Sequence, residues 1–234
     1  MNKNQILKAV GTNLVIALML VSLGAVCFVE RVQSVFSPLK SEVIFKGDES
    51  KPNVSFMINV YWGNEYLPSM LTTLKENKIF TTFFVGGMWL SKFPEDFLSI
   101  VRAGHEIGNH GYFHKDGDKI SYAENLNEIN NTHKLVKSYT GFDLNLFAPP
   151  SGAYGENTIK AATELNYKII MWSKDTIDWR DQDEDLIFSR ISKNLGNGDL
   201  ILMHSTQATV KVLPRLIELC KQKNLNIVPV SQCL

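Results

Sequence analysis

From Pro52 to the C-terminus, short apolar runs alternate with longer amphipathic ones in a regular order. The short runs, at 54–60, 80–85, 105–109, 144–148, 168–172, 200–203 and 226–230, are mostly β-branched or aromatic and predict strands. Helical patterns occupy 66–77, 95–103, 122–139, 156–165, 183–194 and 209–223 between them. Repeated β then α predicts parallel strands joined by right-handed crossovers. Asn59, His110, Pro149, Asp175 and His204 each fall at or just past the end of a different strand. In a β/α barrel such ends converge on the face where the active site is built, so a closed or nearly closed barrel is favoured over an open sheet. The region is shorter than the ~250 residues of an eight-fold barrel, and about seven units fit it better.

The N-terminal pattern is different. Lys3 and Lys8 precede a run from Leu14 to Val29 that carries no charge. Counted from Ala9, it approaches the ~20 residues of a spanning helix. No polar stripe interrupts it at helical spacing, which disfavours a buried soluble helix. Residues 25–29 supply no convincing Ala-x-Ala-like cleavage site, so an uncleaved signal anchor is preferred to a cleaved signal peptide. The preceding lysines place the N-terminus in the cytoplasm and everything after Glu30 outside. The expected organisation is therefore an anchor over 1–29, a linker over 30–51 without clear periodicity, and a folded domain over 52–234.

Composition narrows the function. The 24 basic and 24 acidic side chains balance to a formal charge of zero, which removes the electrostatic reason to expect nucleic acid. With 44% hydrophobic residues the chain can bury a proper core. Outside the anchor Cys220 and Cys233 remain; unpaired small apolar residues are favoured over a disulfide.

The most informative segment is Gly104-His-Glu-Ile-Gly-Asn-His-Gly-Tyr-Phe-His114, which sets His110 and His114 four residues apart. On one helical turn that spacing puts both imidazoles on one face, as a zinc-type site requires. With the segments Trp172-Ser-Lys-Asp-Thr-Ile-Asp-Trp179 and Leu200-Ile-Leu-Met-His204, the chain resembles the polysaccharide deacetylase family, carbohydrate esterase family 4, over nearly all of 52–234. Its sporulation-type, peptidoglycan-directed members are the nearest look-alikes. The resemblance implies a distorted (β/α)7 barrel. It also implies hydrolysis of N-acetyl groups on peptidoglycan, chitin or related glycans with Zn2+ or another divalent metal such as Co2+. On this reading His110 and His114 are metal ligands, and His204 is the general acid that protonates the departing amine. Asp175 is the first choice to orient His204 and Asp178 the second, with helix capping or turn formation as the alternative for both.

The first motif departs from the family. Thr-Phe-Asp-Asp appears as Met57-Ile-Asn-Val60, so Asn59 stands at the catalytic base and Val60 at the metal-binding aspartate. Arg-Pro-Pro-Tyr-Gly appears as Ala148-Pro-Pro-Ser-Gly152. An arginine facing Asn59 would be a buried, unpaired charge costing several kcal/mol, so loss of one partner explains loss of the other. A third metal ligand would have to come from Glu65, the better placed, or Asp116; the alternative for Glu65 is an exposed acid at a helix start.

Among the other candidates, Trp62, Pro149 and Trp179 are assigned to the glycan, and Tyr112 and Trp172 to the predicted rim. His105, Phe83 and Phe84 are assigned to the core, and His133 to a solvated helix face. The leading expectation is a metal-dependent deacetylase of altered mechanism. A catalytically impaired glycan-binding protein and a membrane-tethered scaffold stand as alternatives.

Overall fold

The structure, a computed structural model, describes Asn2, residues 19–22 and residues 43–234. The expected anchor thus falls largely, and the first part of the linker wholly, outside the described residues. Among the described residues no helix is long and apolar enough to cross a membrane. The chain divides into two units, 1–39 and 40–234. Of the first, residues 19–22 are helical, with the Ser22 hydroxyl donating to the Met19 carbonyl.

Among its described residues the second unit holds nine strands: β1 Val43–Ile44, β2 Asn53–Val60, β3 Thr82–Val85, β4 Glu106–Asn109, β5 Leu146–Phe147, β6 Lys168–Ile170, β7 Lys174–Asp175, β8 Leu200–His204 and β9 Asn226–Ile227. Its helices are α1 Leu67–Glu76, α2 Gly87–Lys92, α3 Pro94–Arg102, α4 Tyr122–Thr140, α5 Glu156–Glu164, α6 Glu184–Ser192, α7 Gln207–Gln222 and α8 Val230–Cys233. The sheet order is β1-β6-β5-β4-β3-β2-β8-β7, with β9 also on β2. Every paired strand runs parallel to its neighbour.

The sheet curls. β6 pairs with β5 and β1, and a few residues later the same stretch of backbone, as β7, pairs with β8. The far ends of the strand order are thereby drawn together into a curled parallel half-barrel, consistent with the distorted (β/α) barrel that the family resemblance implies.

Period-two alternation builds two cores. On β2, Val54, Phe56, Ile58 and Val60 join the larger cluster, which includes helix residues such as Met70, Phe97 and Leu213. Met57 belongs instead to an interior cluster with Phe84, Leu146, Ala148, Ile170 and Leu200, to which α8 adds Val230 and Cys233. Asn59 shares the face of Met57; Val60 faces the helices. Local signals set several helix ends: a Ser121–Glu124 capping box starts α4, and Asp183 and Thr206 cap α6 and α7.

The folded region begins before Pro52. β1 pairs with β6, and the Gly47 and Asp48 N–H groups donate to the Gly198 and Cys233 carbonyls, each at 2.7 Å. Two paired residues are too few for alternation to register, which is why this stretch reads as linker in sequence. α2, β7 and α8 escape the pattern for the same reason. His133 is not simply solvated: its Nδ1 lies 2.7 Å from the Tyr167 hydroxyl and its Nε2 3.2 Å from Asp143. His105, Phe83 and Phe84 are buried.

Candidate functional site

Asn59, the last inward residue of β2, lies in register with Phe84 of β3 and His204 of β8. It is 4% exposed, and its Oδ1 has no hydrogen-bond partner. A buried acceptor without a donor costs about 1–3 kcal/mol, so the position is not chosen for stability.

His110 follows β4 directly, its N–H donating to the Val85 carbonyl at 3.0 Å. Its Nδ1 lies 2.8 Å from the Ala148 carbonyl oxygen. A carbonyl only accepts, so Nδ1 carries the proton and Nε2 keeps its lone pair. Burial, with His114 beside it, pushes the His110 pKa down to about 3, so the ring is neutral.

His114 reaches the same place by a route the spacing does not predict. Residues 110–116 form a loop, not a helical turn, with Gly111 at φ 74 and His114 at φ 58. The rings still meet, with centroids 5.0 Å apart and planes at 74°, and His114 also lies 4.6 Å from the Tyr61 ring. Burial lowers the His114 pKa.

Glu128 of α4, which sequence reasoning missed, holds this loop: its Oε2 accepts from the Tyr112 and Phe113 N–H groups at 2.9 and 2.8 Å. Asn109 Oδ1 accepts from Gly111 N–H at 2.9 Å. The signal for Glu128 was present, since it is an acid on the helix face that also buries Asn125, Ile129 and Thr132.

The partner of His204 is Asp178, not the first choice Asp175. Asp178 is fully buried; its Oδ1 lies 2.8 Å from His204 Nδ1, and its Oδ2 accepts from His204 N–H at 2.8 Å and from the Thr209 hydroxyl. Burial alone would raise its pKa, but the hydrogen bonds and charge of His204, with the Thr209 hydroxyl, outweigh it and hold the carboxyl below its ordinary value. Asp175 instead accepts from Ile177 N–H at 2.8 Å. That turn carries Ile177 into the left-handed region at φ 53, rare for a β-branched side chain. The Asp175 carboxyl lines the cleft, and burial raises its pKa.

These groups surround a cleft of about 370 Å³. Its aromatic walls are Tyr61, Trp62, Trp172 and Trp179, with Ser151 and Gly152 beside them. Trp62 stacks on His204, centroids 5.8 Å apart and planes at 10°. Trp179 is 57% exposed. Two assignments change here. Pro149 is buried and does not line the cleft, its neighbours Ser151 and Gly152 doing so instead. Tyr112 lies over Gly87, outside the lining.

The expected third metal ligand is not supplied. Glu65 is exposed on the 3-10 turn Asn64–Tyr66 and outside the cleft lining. Asp116 pairs with Lys119 at 2.8 Å. Among the described residues no three His, Cys, Asp or Glu side chains gather as a metal site. A catalytic zinc takes three protein ligands. Here there are two imidazoles, a neutral amide at Asn59 and a valine turned to the helices, and this set does not fit a catalytic Zn2+ or Co2+.

Comparison with known proteins agrees with the geometry. A family model described as polysaccharide deacetylase matches residues 46–170. The Bacillus subtilis protein YlxY is 36% identical over 84% of the chain, and the chain spans 61% of its length. A Bacillus cereus peptidoglycan-N-acetylglucosamine deacetylase is 34% identical over 79% of the chain and 69% of its own. Among solved structures, BA3943 of Bacillus anthracis, described as a pseudoenzyme of carbohydrate esterase family 4, superposes with a TM-score of 0.80 at 32% identity, over 85% of this chain and 69% of its own.

Proposed function

The chain belongs to the polysaccharide deacetylase family, and from that premise we propose that it is a glycan-binding member whose hydrolytic centre has been dismantled. One observation carries the reading: where the family holds two carboxylates, this chain has Asn59 in the cleft and Val60 in the helix-facing core, with no third carboxylate, histidine or cysteine to complete a metal site among the described residues. An amide takes no proton from water at neutral pH, and two neutral imidazoles are short of the ligand count that makes hydroxide on a metal.

What remains suits a sugar. Trp62, Trp172 and Trp179 offer flat apolar faces beside polar groups, the composition of a small-ligand cleft. The likeness to BA3943, a pseudoenzyme by its description, supports the loss of chemistry. The likeness to a peptidoglycan deacetylase supports a cell-wall glycan carrying N-acetyl groups as the ligand class. The apolar run before residue 30 would tether the domain on the outer side of a membrane.

A second reading, slow metal-dependent deacetylation, rests on the intact Asp178–His204 pair, which leaves His204 Nε2 free to pass a proton to a leaving amine. The two separate in one experiment on the full-length chain in detergent. Acetate release and affinity for peptidoglycan and N-acetylglucosamine oligomers are measured with chelator, Zn2+ or Co2+, beside His110→Ala and Trp62→Ala. Binding that needs Trp62, withstands chelator and yields no acetate supports the binding role. Metal-dependent acetate release lost in His110→Ala refutes it and establishes the enzyme.

A further inference from the structure

Because the paired strands all run parallel, the connections that lead into them gather at one end of the sheet, opposite the strand ends that build the cleft. That end displays uncommitted positive charge. Lys78 precedes β3, Lys168 begins β6, and Lys193 and Lys223 lie in the segments that lead into β8 and β9; all four are exposed. Among the described residues none of the four has a carboxylate partner. The acids of the same connections are already engaged: Asp48 and Glu49 pair with Lys51 and Lys46, Asp143 pairs with Lys137, and Asp199 is buried. Glu76, which ends α1, adjoins Lys75, and Glu164, which ends α5, accepts from the Tyr122 hydroxyl.

Two phenylalanines stand out among these lysines. Phe80, 53% exposed, leads into β3 and lies against Gly104 at the entry to β4, and Phe142, 48% exposed, leads into β5. β3, β4 and β5 are neighbours in the sheet, so both rings belong to one stretch of the rim. Ammonium groups attract anionic headgroups, and an exposed aromatic ring gains by entering the interface between headgroups and acyl chains. The position of the apolar N-terminal run argues for that occupant. Thirteen residues, 30–42, separate the run from β1, and fully extended they span at most ~45 Å. Val43 pairs with Ile169 in a parallel ladder, so β1 starts from the lysine-bearing end. Resting on the membrane tether of the reading above, we propose that this end of the barrel docks on an anionic lipid surface. Docking there turns the cleft away from the bilayer, towards the glycan.

The test reconstitutes the full-length chain into vesicles of phosphatidylcholine alone and of phosphatidylcholine with phosphatidylglycerol. A membrane-impermeant amine reagent labels the lysines, and mass spectrometry reads the rate at each. Lys78, Lys168, Lys193 and Lys223 should react at least about three-fold more slowly on the anionic vesicles than on the neutral ones. Lys92, Lys115 and Lys119, on the cleft side, should react equally on both. The protection should vanish in about 1 M salt, where the screening length falls to ~3 Å. Lys78→Glu with Lys223→Glu should abolish the protection of Lys168 and Lys193, and Phe80→Ser with Phe142→Ser should weaken it. Equal rates at the four lysines on the two kinds of vesicle overturn the inference and leave the tether standing. Slowing that extends to Lys92, Lys115 and Lys119 shows unspecific adsorption and overturns it too. Loss of the chain from the vesicles in an alkaline wash overturns the tether and the inference together.

Discussion

Removing the Glu128 carboxylate tests whether the histidine loop is held from behind by α4. Glu128→Ala strips the acceptor from two backbone N–H groups, those of Tyr112 and Phe113. Each unmatched N–H costs about 1–3 kcal/mol when buried. Both are only part-buried, so water recovers some of that, and a net loss of about 2–3 kcal/mol is expected. Glu128→Gln keeps an oxygen in place but removes the charge. Since charge-assisted bonds are roughly twice as strong as neutral ones, it should cost about 1 kcal/mol. The assay is urea unfolding of the full-length chain followed by near-ultraviolet circular dichroism, comparing midpoints at unchanged slope. For a protein of this size the Ala variant should melt about 5–10 °C lower. A Glu128→Ala midpoint equal to that of the parent, or a Gln variant as damaged as the Ala variant, would refute the assignment.

Acid should weaken the fold well above the carboxylate range. Burial lowers the His105 pKa to about 4, and burial with His114 lowers that of His110 to about 3, against about 6.5 for an unfolded histidine. The unfolded chain therefore binds protons that the folded one refuses, and stability falls as pH drops from 6.5 towards 4. At pH 5 each histidine accounts for about 2 kcal/mol; urea midpoints at pH 7 and 5 measure it, and a flat profile, or one unchanged in His105→Gln, sinks the claim. Gly63, at φ 82, has no room for a side chain, since a Cβ there would lie 2.1 Å from the Ser205 carbonyl oxygen. Gly63→Ala should displace Trp62 from His204, lower stability by roughly 1–3 kcal/mol and weaken glycan binding; a variant with parental melting and affinity would show the close approach to be irrelevant. Cys220 and Cys233 are buried free thiols whose pKa burial raises to about 12 and about 11. Both should resist a thiol reagent until the chain is unfolded, and peptide mapping that finds either labelled in the native protein contradicts this.

Much of the architecture is local and so was open to a reader of the sequence. Alternating and helical periods identify most strands and helices, because each reports which face of one element is buried. Their order implies a parallel sheet with polar residues gathered at strand ends. The exchange of Asp-Asp for Asn59-Val60, together with Ala148, is legible from residue identity alone and is what motivates the proposed loss of the usual chemistry. Three things needed tertiary structure. The choice of Asp178 over Asp175 depends on the turn at Ile177, which occupies the earlier carboxylate with its own N–H and leaves the later one to meet His204. The His110–His114 pair forms on a loop that Glu128 holds from another element, so its four-residue spacing resembles a helix that is not there. Whether Glu65 could complete a metal site is a question of distance between segments, and no local pattern encodes distance. Sequence periodicity records burial along one segment, whereas a site is the meeting of several segments, and only the folded backbone decides which side chains meet.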